Sequence, residues 1–263
     1  MDKHTFALTV YKESPYLEEC IQSLVNQTVK ANIIIVTSTP TAFSRDLFEK
    51  YGIPYYINNT EKKNAATNWN FAIAQAPTSL VTVAHQDDMY EPGYAEHILN
   101  EFAGNADVQI AFTSYTDVIN GRVRKYSMSA FVKSTLLLPF YFSKSIGSKF
   151  FKRAILLLGN PICCSSVTFN KEITGDQIFS DRYVFALDWF AWYELSAKAG
   201  KFMFINKKLI WHRIHNNSVT AASSNNGVAK REERAFFEMI WGNKIIAGVL
   251  SFVYRLGNLD NRS

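Results

Sequence analysis

The sequence predicts an α/β fold: a mostly parallel sheet flanked by helices, followed by a helical extension at the C-terminus. Three observations carry this. Short β-rich runs alternate with amphipathic stretches over the first 115 residues, the pattern of parallel strands joined by crossover helices. One run, Ile33 to Val36, is continuous and β-branched, as a strand buried on both faces requires. Proline, glycine and capping residues punctuate the units where helices should start and stop.

The elements follow in order. Thr5 to Val10 is the first strand. Ser14-Pro15 reads as a helix start, with Pro15 at the first helical position and Glu18 and Glu19 in the first turn. Leu17, Ile21, Leu24 and Val25 form its apolar stripe. After the strand at Ile33, a helix over 43–51 stops at Gly52, and 54–57 is a further strand. The helix over 64–75 places Ala66, Trp69, Ala72 and Ile73 on one face. Leu80 to Ala84 is the next strand, 93–102 a helix and 108–115 a strand. Beyond residue 117 the alternation lapses. It resumes with a strand at 165–170, a helix at 186–199 ending at Gly200, and a strand at 202–206. Residues 221–227 are small and polar, and one helical stretch runs from Ala229 to about Leu256. The chain thus divides into a main domain, residues 1–220, with a basic and apolar insertion at 118–160, and a helical extension, residues 221–263.

Composition narrows the class. The chain has 263 residues, 48% of them hydrophobic and 14% aromatic, enough for a well-filled core. The net charge of +5 is unevenly spread. Val118 to Lys171 contains no acid but nine basic residues: Arg122, Arg124, Lys125, Lys133, Lys144, Lys149, Lys152, Arg153 and Lys171. This segment reads either as a flap over an acceptor site or as a face lying on an anionic membrane, with Leu136 to Phe142 or Ile155 to Leu158 dipping in. The membrane is the favoured reading, and no nucleic-acid motif accompanies the charge. Three cysteines, Cys20, Cys163 and Cys164, form neither a disulfide framework nor a zinc pattern. No secretory leader and no spanning apolar run is apparent. The expected location is cytoplasmic, peripheral on the inner face of the membrane. The C-terminal helix offers a surface for the membrane or for a second copy of the chain.

The chemistry concentrates at strand ends. Ligands of open α/β sheets lie beyond the carboxyl ends of the strands. Three such ends supply Tyr11-Lys12-Glu13, Thr37-Ser38-Thr39 and His85-Gln86-Asp87-Asp88. Two adjacent carboxylates repel unless a cation or a hydrogen-bond network separates them, and hard divalent ions take such oxygens together with substrate phosphates.

In these residues the chain resembles the inverting glycosyltransferases of family 2, which have the GT-A fold, over roughly residues 4–220. Four blocks carry the likeness: Val10 to Glu13 through Leu17, Ser23-Leu24 and Gln27; His85-Gln86-Asp87-Asp88; Leu187-Asp188-Trp189; and Arg213 to Thr220. The resemblance implies a metal-dependent transfer of a sugar, from a nucleotide diphosphate, UDP in the first instance, to a hydroxyl of a glycan or lipid-linked acceptor. A bacterial surface polysaccharide is the setting it suggests. It implies that Val10, Tyr11, Glu13, Thr37, Ser38, Asn68, His85, Gln86 and Asp87 border the donor. Asp87, Asp88 and His215 would hold Mn²⁺ or Mg²⁺, and Asp188 would be the general base. Trp189, Phe190 and Trp192 would raise the pKa of Asp188 and suit stacking on a sugar. The chain departs from the family at Thr37-Ser38, where an acidic pair is usual, at Asn68, where a basic residue is usual, and at His85, usually the first acid of the metal triplet. An alternative is a degenerate nucleotide-sugar binder or membrane-attached partner that has lost turnover. Residue by residue, Asp188 also fits a helix cap, and His215 a turn histidine.

Overall fold

The computed structural model describes residues 3–119, 121–124, 128–215, 218, 222–223 and 226–257. In chain order the first elements are β1 (His4–Val10), α1 (Leu17–Val25), β2 (Asn32–Thr37), α2 (Ala42–Lys50), β3 (Tyr55–Ile57), α3 (Ala65–Gln75) and β4 (Leu80–His85). Then come β5 (Met89–Tyr90), α4 (Tyr94–Phe102), β6 (Val108–Ile119), β7 (Arg122–Val123), α5 (Met128–Leu136), α6 (Pro139–Phe142), β8 (Ser145–Ile146) and α7 (Lys149–Ala154). A 3₁₀ turn, Cys164–Ser166, leads into β9 (Val167–Asn170) and α8 (Lys171–Thr174). The chain ends with α9 (Leu187–Ala197), β10 (Lys201–Ile214), α10 (Val228–Trp241) and α11 (Lys244–Gly257).

One sheet runs in the order β3-β2-β1-β4-β9-β6-β10-β5, with β7 beside β6 and β8 beside β10. β3, β2, β1 and β4 are parallel, as are β6 and β10, while β9 lies antiparallel between β4 and β6. Period-two alternation sends Phe6, Leu8 and Val10 of β1 to the face covered by α1, α2 and α4, and Ala7 to the other. That second face is covered by α3, α9 and α10, whose Phe236 and Phe237 belong to the same core as Val81 and Val83 of β4. The fold is the expected α/β class with a helical C-terminal extension.

Local departures have physical causes. α1 begins at Leu17 with Tyr16 as N-cap, so Pro15 lies in the preceding turn and not at the first helical position. Val25 is exposed, and Cys20 takes the place expected for it in the buried stripe. The C-terminal stretch is two helices. Gly242 ends α10 with φ 61°, and the Asn243 side chain accepts from the N–H of Ile245 at 2.8 Å and of Ile246 at 3.1 Å, starting α11. β10 has 14 residues, far beyond the predicted 202–206, because bulges between Ile205 and Ile210 absorb Asn206-Lys207 and Leu209 and let pairing with β6 continue to Ile214.

Candidate active site

Register sets the height of the crevice. Val10 of β1 pairs with Thr37 of β2, and Thr9 with His85 of β4, so three strand ends emerge level with one another. The loops are then tied together. Gln86 accepts from the Tyr11 N–H through Oε1 and donates to the Tyr11 carbonyl through Nε2, both at 3.0 Å. Lys12 N–H donates to Thr39 Oγ1 at 2.7 Å. Lys12 has φ 56°, the one non-glycine residue with positive φ among the described residues, a strain that persists only where surrounding contacts enforce it. Thr37 and Ser38 are buried. Asn68 links them inward, donating to Ser38 Oγ at 3.0 Å and accepting from Asn58 at 2.8 Å. Glu13 is exposed.

The carboxylate doublet is brought to the end of β10. β5 follows Asp88 directly and pairs Met89 with Trp211 and Tyr90 with Ile210, which delivers Asp88 to the Arg213 N–H at 2.9 Å. His215 Nε2 donates to Asp87 Oδ2 at 2.9 Å, and its ring packs 5.2 Å from that of Tyr16. Arg213 stacks 4.0 Å over Tyr16 and pairs with Glu19 at 2.6 Å. Burial works to raise the Asp87 pKa, but the His215 hydrogen bond and the charges of His85 and His215 outweigh it and hold it low. Asp88 goes the other way: burial pushes it up, with Asp87 adding to the shift and His212 and His85 opposing it. Burial lowers the pKa of His85, whose ring stacks on Trp69 at 4.7 Å.

Asp188 occupies the first turn of α9. Its Oδ1 accepts from the Trp189 N–H at 3.0 Å, and its Oδ2 from Asn160 Nδ2 at 2.7 Å. Burial raises its pKa to about 7, against the opposing pull of the Trp189 N–H and of Lys133. The Cys163-Cys164 turn lies between this carboxyl and the doublet. After burial, the charges of Asp188 and Asp88 both help to push the Cys164 thiol up. Trp189, Phe190 and Trp192 are buried in the core. They supply the desolvation expected of them but present no face to a sugar, which corrects that part of the sequence reading.

The sequence reading gave two further groups no part in the site. His212 Nδ1 donates to Asp117 Oδ1 at 2.9 Å. Burial opposes the charged imidazole, but Asp117 and Asp88 together raise its pKa. Lys133, from the insertion, donates to Tyr115 Oη at 2.8 Å. The signal for the first was cross-strand pairing of His212 with Asp117, invisible until β10 is known to reach that far. Lys133 had none, since nothing in the sequence orients α5.

Asp87, Asp88 and His215 make a donor set suited to a hard divalent ion. Asp88 Oδ2 is a buried acceptor without a hydrogen-bond partner among the described residues, an atom that an ion would satisfy. Among the described residues no three His, Cys, Asp or Glu side chains already converge on one point, and His215 and Asp87 bond to each other. Loading would exchange that hydrogen bond for ligation. A concavity of about 480 Å³ beside β3 is lined by Phe48, Glu49 and residues 52–56, and by none of these groups.

Residues 5–174 match glycosyl transferase family 2, and the chain belongs to that family. It is a glycosyltransferase. No curated protein matches it in sequence. In structure it is similar to Staphylococcus aureus TarS 1–349, at 16% identity and a TM-score of 0.62, over 100% of this chain and 89% of that one. The form of TarS 1–349 in complex with UDP-GlcNAc aligns at 13% identity and 0.63, over 99% of this chain and 73% of the other. The mannosyltransferase PcManGT from Pyrobaculum calidifontis, in complex with GDP-Man and Mn²⁺, aligns at 11% and 0.63, over 98% and 75%. These likenesses establish the GT-A fold.

Proposed function

We propose that the chain is a metal-dependent, inverting transferase. It moves a hexose or N-acetylhexosamine from a nucleotide diphosphate, UDP in the first instance, to a hydroxyl of a glycan or lipid-linked acceptor in surface polysaccharide synthesis. The observation that carries this reading is the pair of oppositely shifted carboxylates. Asp87 is kept ionised for a cation or diphosphate, while Asp188 is tuned to about 7, near the operating pH of a general base.

The strand-end loops at Val10, Tyr11, Thr37, Ser38 and Gln86 cradle the nucleotide. Asn68 stiffens that wall from behind, and His85 and His215 border the diphosphate. Asp188 takes the proton of the acceptor hydroxyl as its oxygen bonds to the anomeric carbon. The bond from that carbon to the diphosphate oxygen breaks on the opposite face, and configuration inverts. Asp87, Asp88 and His215 would hold Mn²⁺ or Mg²⁺, which would supply neutralisation of the charge on the departing diphosphate.

Peripheral attachment at the cytoplasmic face of the membrane is part of the proposal. Among the described residues no helix is long and apolar enough to cross a membrane. Phe150 and Phe151 of α7, Leu158, and Ile245, Val249, Phe252 and Val253 of α11 are all exposed. Tyr254 of α11 packs against Gly159, and Trp241 Nε1 donates to Leu157 O at 3.0 Å, so the last two helices adjoin the stretch that carries Leu158. The cations contribute less than the sequence suggested. Lys152 is buried and donates to the Lys198 and Gly200 carbonyls, Arg153 stacks on Tyr193, Lys144 pairs with Glu101, and Lys171 bonds Ala76 O. Lys133 is drawn to Tyr115.

Thermal denaturation with a nucleotide panel, with and without Mn²⁺, tests the transferase. UDP with Mn²⁺ at a hundredfold excess over its Kd should add about 2.7 kcal/mol, several degrees in Tm, and UDP alone much less. No shift with any nucleotide would favour a membrane-attached partner without a donor site, and a shift without turnover would mark the degenerate nucleotide-sugar binder.

A further inference from the structure

We infer that Glu232 is a positioning residue for Asp188, a carboxylate lent by the C-terminal helices that fixes the chain's entry into α9. The inference rests on the reading of Asp188 as the base. Glu232 lies in α10 and is buried. Its Oε1 accepts from the Val184 N–H at 3.0 Å, and its Oε2 accepts from Val184 at 3.2 Å, Phe185 at 2.9 Å and Ala186 at 3.0 Å. Three successive backbone donors therefore converge on one side chain from 46 to 48 residues further along the chain.

Those donors are the approach to the base. Ala186 is the N-cap of α9 and has no side chain able to cap it, so the helix begins without the usual local acceptor. Glu232 supplies an acceptor from outside, with the sign of charge that a helix N-terminus favours. Asp188 stands two residues on. The direction of a first-turn side chain follows from where its helix starts, and here Glu232 sets that start.

The surrounding packing locks the same point. Phe236 and Phe237 of α10 meet the Trp189 ring edge-on at 5.2 Å and 5.9 Å, and Tyr254 of α11 meets it at 5.0 Å. Trp189 also donates its N–H to Asp188. The aromatic contacts fix the helix laterally, while the Glu232 hydrogen bonds fix it along its axis. Glutamine in place of Glu232 turns an N–H₂ group towards at least one of the three donors, and leaves that donor facing another.

Hydrogen exchange on the wild-type protein is the first test. The amides of Val184, Phe185 and Ala186 should exchange as slowly as those of α10, and Glu232→Gln should accelerate them while α10 stays protected. Turnover is then read as UDP release from UDP-glucose, UDP-galactose and UDP-N-acetylglucosamine with Mn²⁺. Glu232→Gln should lower kcat by about 100-fold, the effect of a small displacement of a reacting group, with KM for the donor within about twofold. Combined with Asp188→Asn it should add nothing to the loss caused by Asp188→Asn alone. Fast wild-type exchange at 184–186, normal kcat in Glu232→Gln, or losses that multiply in the double variant would overturn the role of Glu232 and leave the base standing. Normal turnover in Asp188→Asn would instead remove the base.

Discussion

The donor and base sides of the proposed site are built by different means. The donor side is assembled mainly from the ends of β1, β2 and β4, neighbours in the sheet whose register brings them level; their loops bond to each other, and the end of β10 joins them at the doublet. The base side draws on parts far apart in the chain: Asn160 after α7, Lys133 from the insertion, Asp188 on α9, and Glu232 and Tyr254 from the last two helices. The difference extends to the carboxyls. On the donor side, His215 and its neighbours overcome burial and keep Asp87 acidic. On the base side, burial prevails and carries Asp188 to about 7. An anion held ready for a cation and a carboxyl poised to take a proton need opposite surroundings, and separate construction lets one sheet provide both.

Replacing Asp188 breaks this comparison most severely. Asp188→Asn should lower turnover by at least about 100-fold, the scale of general-base catalysis, while binding of UDP with Mn²⁺ is retained. Stability should move the other way. The folded-state pKa is raised from 3.8 to about 7, so the favourable contribution of the protonated carboxyl is complete below about pH 4, is lost as pH rises towards 7, and stays lost above it. The asparagine has no charge to bury. The variant should therefore gain on wild type by about 1 kcal/mol or more at pH 8, after allowance for the group's partial exposure, and much less at pH 5. Urea titrations at both pH values measure it. An equal difference at the two would refute the desolvated carboxyl.

The same division governed what the sequence disclosed. β1, β2 and β4 announce themselves by β-rich, mostly apolar runs, and Asp87-Asp88 follows closely on one of them, so the donor pole could be placed from local pattern. β10 could not, because Lys207-Lys208 breaks its alternation and only pairing with β6 restores the strand. With β10 cut short, the His212–Asp117 pair was invisible. α9 was legible as a helix, and Asp188 as its early acid. The burial of Trp189 depends on Phe236 and Phe237 of α10, far downstream in the chain, and no local pattern reports that. The roles of Glu232 and Lys133 belong to the same class of long-range fact.

Gly159 sharpens the contrast through stability. It precedes Asn160, the partner of Asp188, and has φ 139°, where a Cβ would lie 2.4 Å from Tyr254 Cε2 and 2.7 Å from Cδ2. Gly159→Ala forces the aromatic ring off Trp189 or the loop off α11, and overpacking together with backbone strain should cost about 3 kcal/mol. At Gly52, beside the donor-side sheet edge, φ is 60° and nothing lies within 4 Å of a Cβ. Gly52→Ala meets only the backbone penalty, about 1 kcal/mol. Thermal melts of the two variants should therefore differ by several degrees, Gly159→Ala being the lower. Similar melting temperatures would mean that the two sides are held equally loosely.

The smallest effects are expected at the outer surface of the base side, where α11 carries its exposed apolar residues. Val249 and Phe252 lie one helical turn apart, and the exposed Lys244 flanks them at the start of the helix, while Arg255 near its end has a guanidinium nitrogen buried in the molecule. A helix lying in an interface keeps this arrangement, with basic stems at the headgroups and the apolar face below. Burying one such side chain contributes about 2 kcal/mol, and each basic residue near an anionic surface about 1 kcal/mol. With Lys144, Lys152, Arg153 and Lys171 engaged within the molecule, the apolar part should dominate. Pelleting with phosphatidylcholine–phosphatidylglycerol vesicles should thus survive 0.5 M salt in part, although surface charges are then largely screened. Phe252→Glu should reduce it at every salt concentration without altering UDP release. Complete loss of pelleting in high salt would reassign attachment to the cations. A dimer in solution with no lipid binding, abolished by Phe252→Glu, would assign this face of α11 to a second copy of the chain.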